Sequence, residues 1–222
     1  ENSFFNTEEI IKYTKMAADK GDILGMNMYG MLLRKGEIIK YNPKEAIKYF
    51  KKAIDKGEVN SMELYADKDD ISAIFNYAQM MKEGVGCSVN EAEAMKYFKM
   101  AAEKGDISAM NNIAMMLENG EGCPVNEVEA AKYFKIAGDK GNSKAMINYS
   151  RLLKEGKGCT VNIEESIKYL KDAISAGDTN AMINYALILY QGDDGVPVNK
   201  EESMKYCKMA CDEGDPIGMN IY

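Results

Sequence analysis

The sequence contains no histidine. That removes the commonest general base and proton shuttle near neutral pH. It excludes Ser-His-Asp and Cys-His catalysis within this segment and takes away the commonest zinc ligand. No apolar run approaches the roughly 18 residues that span a bilayer, and no signal peptide is evident. Lysine is plentiful but interleaved with Glu and Asp, so the clustered basic face that phosphate recognition needs is missing. Neither nucleic acid nor a membrane is therefore an expected partner. The first residue is Glu1 rather than Met, so we read the sequence as a piece of a longer chain from which a targeting segment could have been lost.

What is present is foldable: 222 residues, 46% hydrophobic and 28% charged, with a net charge of −7 that favours solubility. Self-similarity dominates. The stretch ISAMNNIAMMLENGEGCPVNEVEAAKYFKIAGDKG, ending at Gly141, matches SKAMINYSRLLKEGKGCTVNIEESIKYLKDAISAG, ending at Gly177, at an offset of 36 residues. Unit-opening glycines recur at Gly21, Gly57, Gly105, Gly141, Gly177 and Gly214, and Lys-Tyr pairs run from Lys12-Tyr13 to Lys205-Tyr206. We read one array over 1–222, with complete units 21–56, 69–104, 105–140, 141–176 and 177–213, a partial unit 6–20 and another at 214–222.

Each unit predicts two helices. Helix A is clearest at 106–118, where Ala109, Met110, Ile113, Ala114 and Leu117 form one apolar stripe at helical period. A Gly-x-Gly-Cys loop follows. Helix B opens on Asn with Glu three places on, from Asn6/Glu9 and Asn42/Glu45 to Asn162/Glu165 and Asn199/Glu202. This capping box predicts that each partner satisfies an orphan backbone N–H. Helix B is expected to stop at the glycine that opens the next unit. Small residues set the packing distance: Gly30, Ala78, Ala114, Ser150 and Ala186 in helix A, and Ala17, Ala53, Ala101, Ala137, Ala173 and Ala210 in helix B.

The pattern A-M-x-N-Y-A-x-x-L-x-x-G-x-G-C-x-V-N-x-x-E-A-x-K-Y-F-K-x-A-A-x-x-G-D resembles the Sel1-like repeat, a relative of the tetratricopeptide repeat. One departure is Leu or Met (Leu33, Met81, Leu117, Leu153, Leu189) where the family usually has an aromatic late in helix A. The resemblance implies an all-α fold, a right-handed α-solenoid of antiparallel helix pairs. It also implies a non-enzymatic adaptor or scaffold for a protein or peptide, as in ER-associated degradation and signalling. Similar repeats occur beside kinase-like domains, so a structural spacer or regulatory region serving a catalytic domain elsewhere is the alternative.

One interval is anomalous. Gly57 opens a unit, yet the next begins at Asp69, only 12 residues later. Either residues are missing from 57–68, which the preserved register favours, or the shortening is genuine and the stack has an irregular joint near residue 66.

Candidate chemistry is thin. Cys87, Cys123 and Cys159 share a loop place that Val196 takes in the last unit, so they read as small packed hydrophobes. Cys207 and Cys211, four apart on a helix B, supply at most two metal ligands, and no further pair is evident. No metal, cofactor or disulfide framework is expected, and reduced thiols favour the cytoplasm over the ER lumen. Glu164-Glu165 and Glu201-Glu202 sit in first turns of helix B, where they complement the helix dipole.

Recognition is expected on helix A. Asn76, Asn112, Asn148 and Asn184 occupy one place in successive A helices, about 130° from the centre of the apolar stripe. By resemblance to the tetratricopeptide type, this helix lines a concave face. The row then either offers paired donors and acceptors to an extended peptide or bonds neighbouring units together; both readings stand open. Specificity would come from the neighbouring variable places: Phe75, Asn111, Ile147 and Ile183, with Gln79, Met115, Arg151 and Leu187.

Overall fold

A computed structural model describes residues 7–60, 68–192 and 195–214. Among these residues there are eleven α-helices and no strand. They are α1 (Thr7–Asp19), α2 (Ile23–Lys35), α3 (Pro43–Asn60), α4 (Lys68–Glu83), α5 (Glu91–Glu103), α6 (Ile107–Asn119), α7 (Glu127–Asp139), α8 (Ser143–Glu155), α9 (Ile163–Ser175), α10 (Thr179–Gln191) and α11 (Lys200–Asp212). The even-numbered helices are A-type and the odd-numbered helices B-type. The chain forms two compact units, Glu1–Ala109 with Glu121–Pro124, and Met110–Gly120 with Val125–Tyr222.

Local chemistry starts each helix. In the A helices, the residue after the unit glycine accepts from the first turn: Asp22 from Gly25 N–H (3.0 Å), Asp106 from Ala109 N–H (2.6 Å) and Asn142 from Ala145 N–H (2.9 Å). In the B helices, the cap asparagine accepts from the N–H of the glutamate three places on, at 3.1–3.2 Å. The other half of the expected box is different. The Glu carboxylate takes the asparagine's side-chain N–H at Glu45, Glu129, Glu165 and Glu202, at 2.8–3.0 Å. The asparagine's backbone N–H goes to the preceding A helix, at the carbonyls of Leu33, Met81, Leu117, Leu153 and Leu189. The box therefore also fastens the B-helix start to its A partner.

Five B-type helices end on a left-handed glycine, such as Gly141 (φ 95) and Gly177 (φ 83). Gly57 does not behave so: α3 continues through it to Asn60. A helical glycine costs about 0.5–1 kcal/mol relative to Ala but meets no steric bar, so the sequence marker alone does not stop the helix. Residues 61–67 of the anomalous interval lie outside the described residues. The second glycine of the loop has a positional reason. Gly158 has φ 66, and a Cβ there would collide with the carbonyl of Glu127 at the start of α7.

The core repeats as well. Phe50 and Phe98 in the first unit, and Phe134 and Leu170 in the second, hold one place at 0–2% exposure. Tyrosines meet edge to face across four of the five described pairs, Tyr29–Tyr49 and Tyr77–Tyr97 in the first unit and Tyr149–Tyr169 and Tyr185–Tyr206 in the second, with ring centroids 4.8–5.0 Å apart; in the α6–α7 pair Ile113 takes the helix A place. Such pairs contribute about 0.5–1.5 kcal/mol beyond their buried area. A Lys–Asp–Tyr cluster joins α7 to α9. Lys135 binds Asp139 (2.9 Å) and donates to the Tyr169 hydroxyl (3.0 Å), which donates to Asp139 (2.5 Å). In the first unit Lys15 pairs with Asp19 (3.2 Å), which accepts from Tyr49 (3.1 Å).

Candidate functional site

In the second unit, α8 and α10 stand on either side of α9 and enclose an open groove of about 470 Å³. The floor is Ser166 and Leu170 of α9 with Ile188 and Ser150; the edges carry Asn148, Arg151 and Lys154 from α8 and Asn184, Leu187 and Gln191 from α10. The floor serines are spent on each other. The Ser150 and Ser166 hydroxyls lie 2.8 Å apart, and Ser166 donates to the Ser150 carbonyl (2.9 Å).

The asparagine row divides. Asn148 and Asn184 are half-buried, line the groove, and neither carboxamide is engaged by another described residue. Asn76, in the first unit, accepts from Arg34 at 3.0 Å and so joins neighbouring A helices. Asn112 also has a partner within the protein. Of the two readings of the row, bonding between neighbouring A helices is seen at Asn76.

Arg151 is held in place. Its guanidinium donates twice to Glu118 of α6 (2.7 and 2.8 Å) and once to Glu155 (3.3 Å). This forked geometry fixes direction as well as charge. Gln79 is bonded to Glu83 along its own helix.

The places one residue before the asparagines turn out to face inward. Phe75 packs edge-on against Phe98, centroids 5.7 Å apart. Asn111 is 7% exposed and Ile183 6%. Ile147 lines the groove while packing against the Leu170 cluster. One residue is about 100° of helix rotation, which moves these side chains from the rim toward helix B. These places are more buried than the exposed variable surface expected of them. The places three residues after the asparagines do stay at the rim. Met115 and Arg151 are half-buried, and Leu187 is exposed.

Sequence reasoning missed the floor serines, Lys154 and Gln191, and the Lys–Asp–Tyr joints. The joints had a signal: a lysine four residues before an aspartate, recurring with the Lys-Tyr pairs. Burial pushes the Cys87, Cys159 and Cys207 thiols above the usual thiol range, which makes these three poor nucleophiles. Among the described residues no group of three His, Cys, Asp or Glu could hold a metal ion, and no helix is long and apolar enough to cross a membrane.

The Sel1 repeat family model matches residues 23–58, 71–106, 107–142, 143–178 and 179–215. The chain belongs to the Sel1 repeat family. Its fold is likewise that of a Sel1 repeat protein from Oxalobacter formigenes, with a TM-score of 0.82 at 24% identity over 92% of this chain and 77% of that one. A protective antigen of uropathogenic Escherichia coli with this fold gives 0.79 at 21% identity, covering 94% of this chain and 42% of that chain. The present chain therefore spans less than half of that relative. An immunity protein from Pseudomonas aeruginosa, Pa5087, gives 0.56 at 15% identity over 92% of this chain and 73% of that one. At these identities the likeness is one of fold. No curated protein matches. Sel1 repeat proteins generally mediate protein–protein interactions, and the repeat is typically a non-catalytic scaffold.

Proposed function

We propose that this chain is a non-enzymatic scaffold that binds an extended peptide segment of a partner protein in the groove between α8 and α10. The carrying observation is the pair of unengaged carboxamides, Asn148 and Asn184, one repeat apart on the two edges of an open groove. A carboxamide offers two N–H donors and an acceptor oxygen, which match the alternating N–H and C=O of an extended backbone. Leu170, Leu187 and Ile188 give apolar side chains a place to settle, and Arg151, held by Glu118, gives the groove a fixed polar marker. Such binding needs no rearrangement of the helices.

The test is a randomised peptide display library selected on the chain, followed by titration of a selected peptide. Asn148→Ala combined with Asn184→Ala is expected to weaken binding by at least about tenfold, or 1.4 kcal/mol, with unchanged helical circular dichroism. Equal binding by the double variant removes the carboxamides from recognition. We also read the chain as cytoplasmic, because its five cysteines are free thiols. Recovery of disulfide-linked forms from cells alkylated before lysis would contradict that placement.

A further inference from the structure

We propose that the groove continues one repeat further, into a subsite between α6, α7 and α8 that requires a neutral N–H donor from the bound peptide; the proposal rests on the peptide-groove reading above. Asn111 and Met115 of α6 hold the places that Ile147 and Arg151 hold in α8, and both of those line the described groove. By repeat equivalence we assign Asn111 and Met115 to the continuation of the groove one repeat earlier, with Arg151, tied back to Glu118 of α6, at its boundary.

The deciding atom is the Asn111 carboxamide oxygen. The residue is 7% exposed, and this oxygen is buried without a hydrogen-bond partner. The amide nitrogen on the same side chain meets only the Met115 sulfur, at 3.6 Å, a weak acceptor. A buried carbonyl left unpaired costs stability and gives folding nothing in return. Nor does the fold require an amide here, since Ile147 and Ile183 fill the same place in the next two repeats. An acceptor kept where an apolar side chain fits has a use if a ligand supplies the donor.

The donor's charge is also constrained. The carboxylates that flank Arg151, Glu118 and Glu155, are already taken by it. An ammonium or guanidinium entering beside Asn111 would be desolvated without a counter-charge. A neutral N–H meets no such penalty, so the subsite selects a main-chain amide or the carboxamide of Asn or Gln.

The probe is the fluorescein-labelled peptide that binds most tightly in the library selection, titrated into the whole chain and two variants. Asn111→Leu removes the orphan oxygen. It is expected to raise the thermal unfolding midpoint while weakening the probe at least about fivefold. A variant that is stabilised yet binds as the parent does overturns the subsite, because the oxygen is then only a cost. Loss of binding in Asn148→Ala/Asn184→Ala with no change in Asn111→Leu leaves the groove standing and the subsite refuted. Unchanged binding in both refutes the groove itself. Should Asn111→Leu fail to fold, the unaltered chain decides. The probe is then scanned by amide-to-ester and by Asn/Gln→Leu replacement. One position should lose affinity at least about fivefold, and a scan with no such position rejects the donor requirement.

Discussion

Met28 and Met31 of α2 stand at the places that Asn184 and Leu187 hold in α10, and Ile10 of α1 stands where Ser166 stands in α9. Around them the first unit forms a concavity of about 210 Å³, completed by Leu32, Lys35, Glu37 and Ile38. Its lining is mostly thioether and aliphatic, with Met28 45% and Met31 38% exposed. The groove of the second unit has carboxamides, a fixed guanidinium and serines at corresponding places. The helices beneath are near-copies. The deep places thus hold the backbone constant, and a few rim places set the chemistry, apolar and adaptable in one unit, polar and directional in the other.

If that division is right, damage to the deep places should be large and alike in both units. Phe50 and Leu170 occupy one repeat place in the cores of the two units, at 0% and 2% exposure. Phe50→Ala is expected to cost about 3–5 kcal/mol and Leu170→Ala about 2–5 kcal/mol, read from urea unfolding by circular dichroism. A cost under about 1 kcal/mol in one unit only would mean that its helix pairs are not packed as the other's are.

The joints between B helices sharpen the likeness through pH. Burial alone would lift the Asp139 carboxyl, but the Tyr169 hydroxyl and the Lys135 ammonium hold it below the usual range. Asp19 is lowered by Lys15 and then Tyr49. A carboxyl whose folded value lies below its unfolded value of about 3.9 contributes stability above that pH. The contribution fades as pH falls through the folded value. The gap in urea midpoint between the parent and Asp139→Asn should therefore be widest at neutral pH and close below about pH 4. At the alkaline end, burial and the Asp19 hydrogen bond push Tyr49 up to about 12, and burial with Glu165 does the same for Tyr149. A phenol raised in this way stabilises below its unfolded value of about 10, and both units should weaken as pH rises from there toward 12. A gap that stays constant from pH 7 to 3 would show that the Asp139 joint contributes nothing through its charge.

What the sequence made legible follows the range of the interaction responsible. Capping residues, apolar stripes, loop glycines and the small packing places act within one helix or one pair, and they recur, so each unit corroborates the others. The features that escaped depend on how one pair meets the next. Asn76 is engaged because Arg34 of the preceding A helix reaches it, whereas Asn148 and Asn184 meet no such reach, and nothing in the shared residue type separates the two cases. The inward turn of Phe75 and Asn111 is set by where helix B lies against helix A, a matter of one residue of rotation. The cap asparagine's N–H goes to the A-helix carbonyl because the loop closes tightly, a geometry no local motif encodes. Gly57 shows the reverse: a repeated marker through which α3 continues to Asn60.

The smallest stability effects should belong to the rim, where the two grooves differ most. Met28→Asn and Asn184→Met exchange the chemistries at half-exposed places that support no core packing. Each is expected to shift unfolding by no more than about 0.5 kcal/mol. Binding should not be so indifferent. A peptide selected on the parent chain should lose affinity for Asn184→Met, because a thioether returns neither the donors nor the acceptor of a carboxamide. It should keep its affinity for Met28→Asn, which lies in the other unit's concavity. If instead Met28→Asn weakens the peptide while Asn184→Met does not, then the methionine-lined concavity is where the peptide sits. The carboxamides at Asn148 and Asn184 would then be ordinary solvated rim.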